Sequence, residues 1–230
     1  MMEQEKRLRG LILLGGRSDY TPQELAPLNI PYVCCSYDNQ YGTLPPDSYA
    51  SVSIADEEEA CRAVTELYRC GHRRIAALVS GTEDRSISQL RYQGYVRALA
   101  AHGLPLEQEL VIEAGSFDIR QSYLAMQRRL LAGAQFTALF AISDNMAIGA
   151  MRALREAGRR IPEDCSVIAI DGLTVSDYIN PPLTTLCQPM EHMGRRSVEI
   201  LLDMVEHRGG PIRETAHTTL RTGESVRDIS

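Results

Sequence analysis

Three polar side chains that could bind a ligand, Ser143, Asp144 and Asp171, each follow closely on a short apolar run. The runs Thr137–Ile142 and Ser166–Ile170 lack polar alternation, which is typical of strands covered on both faces. The segment between them has helical spacing, so the pattern predicts a strand–helix–strand crossover with parallel strands. Because ligands of open parallel sheets bind beyond the carboxyl ends of the strands, we expect these side chains to lie at a ligand site.

Each of these residues also has an alternative role. Ser143 is a good N-cap for the following helix, and Asp144 places negative charge in its first turn. Capping is compatible with ligand contact for Ser143, whereas helix-end stabilisation alone could account for Asp144. For Asp171 the alternative is a loop carboxylate that accepts hydrogen bonds from backbone amides.

Composition restricts the class of protein. The chain has 230 residues, 44% of them hydrophobic, which is enough for one large or two small domains. Its formal net charge of −6 argues against a nucleic-acid surface spread over this chain. No apolar run reaches the roughly 18 residues of a membrane span, and the amino terminus lacks the apolar core of a signal peptide. The cysteines show no CxxC and no metal-ligand spacing, which favours reduced, buried thiols in a cytoplasmic protein.

Enzymatic signatures are missing from the sequence. The five histidines show no motif that pairs them with a serine, cysteine or aspartate. Phosphate-binding, dinucleotide-binding, zinc-protease and nucleophile-elbow motifs do not occur either. We therefore predict a binding protein without catalytic residues, metal or cofactor.

The remaining elements follow an α/β order. Helix starts are predicted after Thr21, at Asp56, near Ser86 or Ser88, after Asp118 and at Glu191. After Ser36-Tyr37-Asp38, the Pro/Gly/Asn-rich region up to Ser48 is predicted to be a loop. The proline pair at 181–182 is predicted to begin an extended segment that leaves the sheet toward a second lobe. The other predicted strands are Leu11–Leu14, Pro31–Cys35, Ile75–Val79, Leu110–Glu113 and Thr215–Leu220.

Several sequence motifs resemble one family. The run SDNMAIGAMRALREAGRRIPEDCSVIAIDG, followed by PPLTTLCQP, resembles the effector-binding core of the LacI/GalR family of bacterial transcription regulators. GHRRIA at Gly71–Ala76 and RYQGY at Arg91–Tyr95 are further matching points, and the resemblance extends over nearly all of the chain from about Leu8. It implies the fold of type-1 periplasmic sugar-binding proteins, with two lobes of parallel sheet flanked by helices. The expected lobes are residues 8–73 with 188–212, and residues 74–187 with 213–230.

Family cores begin with a further strand, helix, strand and helix, after a DNA-reading helix-turn-helix and a hinge. By this resemblance the chain starts where the family's third strand begins, so the first lobe is expected to be incomplete. A truncation, a misassigned start and a degenerate natural form are the alternatives.

The resemblance also assigns ligand contacts. Arg91 matches the family's ligand-clamping arginine and Asp171 its ligand-binding aspartate. Together they suit a sugar, since a carboxylate accepts from neighbouring hydroxyl groups while a guanidinium donates to their oxygens. The alternative for Arg91 is an ion pair on a helix surface. Gln188 matches a crossover position that can reach the ligand, or else is an exposed hinge glutamine.

Ser143 and Asp144 fall where family members place polar residues near the ligand. Ser36, after a predicted strand, occupies a position that is often acidic in the family, and Gly172 replaces a frequent second aspartate. These two departures leave the identity of the ligand open.

The predicted function is that of an effector-binding domain. A small molecule, a sugar or sugar derivative, would close the lobes and so control a DNA-binding domain that this chain lacks. The family implies a cytoplasmic homodimer without membrane contact. The alternatives are an extracytoplasmic sugar-binding receptor of the same fold and a fragment that binds no ligand.

Overall fold

The computed structural model describes residues 8–230; residues 1–7, which form most of the segment judged to lack a signal peptide, lie outside the described residues. The strands are β1 Leu11–Leu14, β2 Tyr32–Cys35, β3 Ala50–Ile54, β4 Ile75–Val79, β5 Val111–Glu113, β6 Ala138–Ala141, β7 Ser166–Asp171, β8 Thr184–Cys187, β9 Arg213–Ala216 and β10 Thr219–Arg221. The helices are α1 Pro22–Leu25, α2 Asp56–Arg69, α3 Ile87–Ala101, α4 Ile119–Leu131, α5 Asp144–Glu156 and α6 Met190–Val205, with short 3-10 turns at Gln108–Leu110 and Thr174–Asp177.

The strands form two sheets. One has the order β1-β2-β3-β9 with every pair parallel, and the other has the order β10-β8-β7-β6-β4-β5 with only β10 antiparallel. Every residue of β2, β4 and β6 is buried, which explains why these strands show no polar alternation. The predicted α/β fold class with parallel sheets is confirmed.

Three strand predictions need correction. The segment after the proline pair was predicted to leave the sheet, but Thr184–Cys187 forms β8 beside β7 in the same sheet. Ala50–Ile54 is a fully buried strand, although the sequence predicted no strand there. Thr215–Leu220 was predicted as one strand, but the chain forms β9 and β10 in different sheets. Between them, the Thr218 hydroxyl donates to Glu59 Oε2 at 2.6 Å, and this hydrogen bond interrupts the extended run.

The chain divides into two compact units. Within the described residues, the first contains residues 8–55, Arg85–Ile87 and Pro189–His217, and the second contains Asp56–Asp84, Ser88–Gln188 and Thr218–Ser230. These units differ from the expected lobe ranges, because α2 belongs to the second unit and β9 to the first.

Each unit has its own core. In the first, a buried cluster of Tyr32, Cys34, Tyr37 and Tyr49 packs with partly buried leucines of β1. In the second, β4, β6 and β7 are buried beneath helices that include α2 and α5. All six cysteines are free. Within residues 8–230, no helix combines the length and hydrophobicity needed to span a bilayer.

Candidate functional site

Asp171 ends β7, where the sequence predicted a ligand-binding carboxylate. Its Oδ1 atom accepts from Gln188 Nε2 at 2.7 Å and from Arg91 Nη1 at 3.3 Å. One-fifth of its side chain, 20%, is exposed. Its φ of 144° lies in a region that non-glycine residues rarely adopt, at a cost of about 1–3 kcal/mol. The backbone turn therefore presents a carboxylate that is held by two donors and still reaches solvent.

Gly172 explains one departure from the family pattern. A Cβ atom at this position would lie 2.6 Å from the Cα atom of Cys187, and the residue has a φ of 77°. Because β7 and β8 pair directly here, with Asp171 opposite Cys187, a second aspartate cannot fit without moving β8.

Arg91 is buried beside Asp171. The α3 helix carries it, and its side chain is 4% exposed. Its Nε atom donates to Asp56 Oδ1 at 2.8 Å, and Nη1 donates to the carbonyl oxygen of Ile142 as well as to Asp171. Arg91 does form an ion pair, but with the buried Asp56 and not on a helix surface, which was the alternative considered for it.

Asp56 is a site residue that the sequence analysis did not identify. It is the first residue of α2 and is 4% exposed, and its only predicted role was helix capping. The sequence carries no signal for its partner, because Arg91 lies 35 residues away.

Burial controls the titration of this cluster. Burial raises the pKa of Asp171, with a further rise from the nearby Asp144 carboxylate, while Arg91 and Gln188 oppose the shift. Burial likewise raises the pKa of Asp56, against the attraction of Arg91. For Arg91, burial lowers the pKa, but Asp56 and Asp171 raise it by more, so the guanidinium stays protonated.

Asp144 is fully buried, and its carboxylate accepts hydrogen bonds from other groups of the protein. Its Oδ2 atom accepts from the Leu173 amide and the Ser176 hydroxyl, each at 2.7 Å, and Oδ1 accepts from Thr185 Oγ1 at 2.6 Å. These bonds fix the segment after β7 and the start of β8. Ser143 caps α5 by accepting from the Met146 amide at 3.3 Å, and it is also buried.

Ser36 belongs to the first unit. It follows β2, has a φ of 68°, and its amide donates to the Val52 carbonyl at 2.9 Å. Of the predicted site residues, Arg91, Asp171 and Gln188 are therefore in direct contact. Asp144 and Ser143 form structural hydrogen bonds in the same unit.

The cluster can recognise hydroxyl groups. A hydroxyl can donate to the exposed part of Asp171, and N–H groups of Arg91 and Gln188 can donate to hydroxyl oxygens. Among residues 8–230 no group of three or more histidine, cysteine or acidic side chains could hold a metal ion.

The chain is similar to a known domain family and to several known proteins. Residues 64–226 match the family described as "periplasmic binding protein-like domain". The HTH-type transcriptional regulator CelR of Thermobifida fusca is 35% identical over 220 residues, which are 95% of this chain and 62% of the relative. The ribose operon repressor of Haemophilus influenzae is 31% identical over 202 residues, 88% of this chain and 59% of the relative. The chain thus spans about three-fifths of these curated relatives.

A solved structure of a transcriptional regulator CelR–cellobiose complex superimposes with a TM-score of 0.85 and 33% identity. The match covers 96% of this chain and 66% of the solved chain.

Proposed function

This chain belongs to the LacI/GalR family of transcription regulators, as a periplasmic-binding-protein-like effector domain, and we propose that it binds a sugar or sugar derivative as its effector. The observation that carries the proposal is the partly exposed Asp171 carboxylate, held by Arg91 and Gln188 at the carboxyl end of a parallel sheet. Vicinal hydroxyl groups of a sugar match this pattern of acceptor and donors. The complex of CelR with cellobiose supports the same class of ligand.

The site residues have unequal roles in this proposal. Asp171, Arg91 and Gln188 contact the effector, whereas Asp144 and Ser143 position the segments around them. Ser36 remains a predicted effector contact that rests on the family resemblance alone.

The hydrogen-bond network links the effector to positions where the chain changes units. Asp56 is the first residue after one crossing and Gln188 is the last before another. Both are bonded into the cluster with Arg91 and Asp171. An effector that donates a hydroxyl to Asp171 competes with the bonds from Gln188 and Arg91 and so alters the restraint at the Gln188 crossing, while Asp56 keeps its bond to Arg91. It regulates by population shift, provided that it binds one arrangement of the lobes better than the other.

We further propose a cytoplasmic homodimer that contacts DNA through a region outside this chain and has no catalytic activity. The relatives are transcription regulators, and the net charge of −6 disfavours DNA contact by this chain itself.

A thermal-shift screen of uncharged sugars, with cellobiose and ribose among them, tests the proposal. At a sugar concentration of 100 times Kd, about 2.7 kcal/mol of stabilisation raises the Tm by roughly 5–11 °C. Asp171→Asn should weaken sugar binding about tenfold to a hundredfold, because a hydrogen bond to a charged group contributes about 1.5–3 kcal/mol.

The matched control is Arg160→Ala, since Arg160 forms an exposed pair with Asp164. It should leave the sugar response unchanged. The proposal is wrong if no sugar raises the Tm, or if Asp171→Asn keeps wild-type affinity.

A further inference from the structure

Arg91 is the only cation that contacts Asp171 among the described residues, and an internal carboxylate already compensates its charge. Asp56 receives the Nε hydrogen bond at 2.8 Å, and both side chains are 4% exposed. The Ile142 carbonyl and Asp171 take the bonds from Nη1. The guanidinium is therefore fixed in direction before any ligand arrives.

The charge balance of the cluster is negative. Asp56 and Asp171 both bond one guanidinium, that of Arg91, and the Asp144 carboxylate adds negative charge near Asp171. Among the described residues, two further arginines contact the segment between β7 and β8. Arg221 donates to the Leu173 carbonyl and pairs with Asp177 at 2.9 Å, and Arg155 donates to the Asn180 carbonyl. An anionic ligand at Asp171 would thus meet a carboxylate with no uncompensated positive charge behind it, which disfavours binding.

We propose that Asp56 is a specificity-determining residue, which neutralises Arg91 from inside the second unit so that the effector site accepts uncharged polyols and rejects phosphorylated or carboxylated ones. The inference rests on the proposed effector site at Asp171. Asp56 touches no ligand and acts through Arg91. Without its charge, the guanidinium becomes available as a counter-ion for a phosphate group.

Isothermal titration calorimetry with ribose, ribose 5-phosphate and inorganic phosphate tests this on wild type, Asp56→Asn and Glu59→Gln. Asparagine keeps an oxygen that accepts from Arg91 Nε but removes the charge. Glu59, on the same helix, bonds Thr218 and makes no contact with Arg91, so its substitution removes an equal charge elsewhere. We expect Asp56→Asn to bind inorganic phosphate and ribose 5-phosphate at least about tenfold more tightly than wild type, and Glu59→Gln to match wild type. A merely structural role for Asp56 would not produce a gain of anion binding.

Each result supports or overturns the specificity role proposed for Asp56. Wild type that binds ribose 5-phosphate more tightly than ribose overturns the specificity assignment while leaving an effector site in place. No gain in Asp56→Asn, or an equal gain in Glu59→Gln, also overturns it. If no uncharged sugar binds but Asp56→Asn gains phosphate, the proposed sugar effector fails and the role of Asp56 stands. Should circular dichroism show that Asp56→Asn is unfolded, the wild-type preference between ribose and ribose 5-phosphate decides.

Discussion

Asp144 offers a direct test of whether a carboxylate at the strand end is structural or contacts the effector. Its three hydrogen bonds all come from the protein, and the residue is fully buried. In Asp144→Asn the amide oxygen can keep the Leu173 and Ser176 donors, and the Thr185 hydroxyl can rotate to accept from the new NH2 group. What is lost is the charge on three hydrogen bonds, about 1 kcal/mol each, partly offset by the smaller cost of burying a neutral group. We expect a loss of about 2 kcal/mol in the free energy of unfolding.

Asp144→Ala removes the acceptor altogether. Three donors, two of them buried and one partly buried, then lose a charged partner, and at about 1.5–3 kcal/mol per bond the expected loss is about 5 kcal/mol. For a chain of this size, a loss of 1 kcal/mol lowers the Tm by about 2–4 °C, so the two variants should melt about 4–8 °C and 10–20 °C below wild type. The measurement is thermal and urea unfolding followed by circular dichroism at two wavelengths, with coincident transitions as the check on two-state behaviour.

The control for this series is Asp118→Asn. Asp118 caps α4 from an exposed position, accepting from the Gln121 amide at 2.9 Å, and asparagine caps equally well. Its stability should stay within about 0.5 kcal/mol of wild type. If Asp144→Asn instead has wild-type stability and loses the sugar response, the structural assignment is wrong and Asp144 contacts the effector.

Two further predictions concern buried charges. His72 is 2% exposed, and burial lowers its pKa, so below about pH 6.5 the unfolded chain binds a proton that the folded chain does not. As the pH falls through this range, the free energy of unfolding should decrease by up to about 1.4 kcal/mol per pH unit. Urea titrations should show a smaller dependence of stability on pH in His72→Gln, but not in the exposed-site variant His217→Gln. Arg91→Ala leaves Asp56 buried without its cation and should cost about 3–5 kcal/mol of stability, which urea unfolding would measure; a loss below about 1 kcal/mol would show that the pair is not buried in solution.

The strands that were predicted well from the sequence are those whose burial requires an uninterrupted apolar run. β4 and β6 carry apolar side chains on both faces, because both faces of these strands are buried. β3 was not predicted, although Ser51 and Ser53 alternate with apolar residues as they do in strands. Both serines are buried, so the alternation here does not mark a solvent-facing side. The chain through Thr218 was predicted as a single strand because the bonds that Thr218 makes between β9 and β10 are long-range contacts with Glu59 and Arg62.

The candidate site was likewise predicted only in part. Strand ends and family motifs sufficed to place Asp171, Arg91 and Gln188 together, because parallel strands bring their carboxyl ends to one edge. They could not show that the partners of Asp144 lie 29 to 41 residues away, nor that a carboxylate at the start of α2 is the partner of Arg91. Such pairings depend on the packing of helices against the sheet, which local pattern does not encode.

The unequal bonds to Asp171 determine what a sugar would displace. The Gln188 bond is 2.7 Å long, whereas the Arg91 bond is 3.3 Å, beyond the usual range for a good N–H···O bond. A hydroxyl that donates to Asp171 therefore replaces the Arg91 contact more readily than the Gln188 contact. Arg91 does not lose its orientation in that exchange, because Asp56 and the Ile142 carbonyl still hold it. The guanidinium thus stays fixed while the sugar replaces its contact with Asp171. Binding therefore loses little free energy to ordering the site, and more of the binding free energy is available to shift the lobe equilibrium.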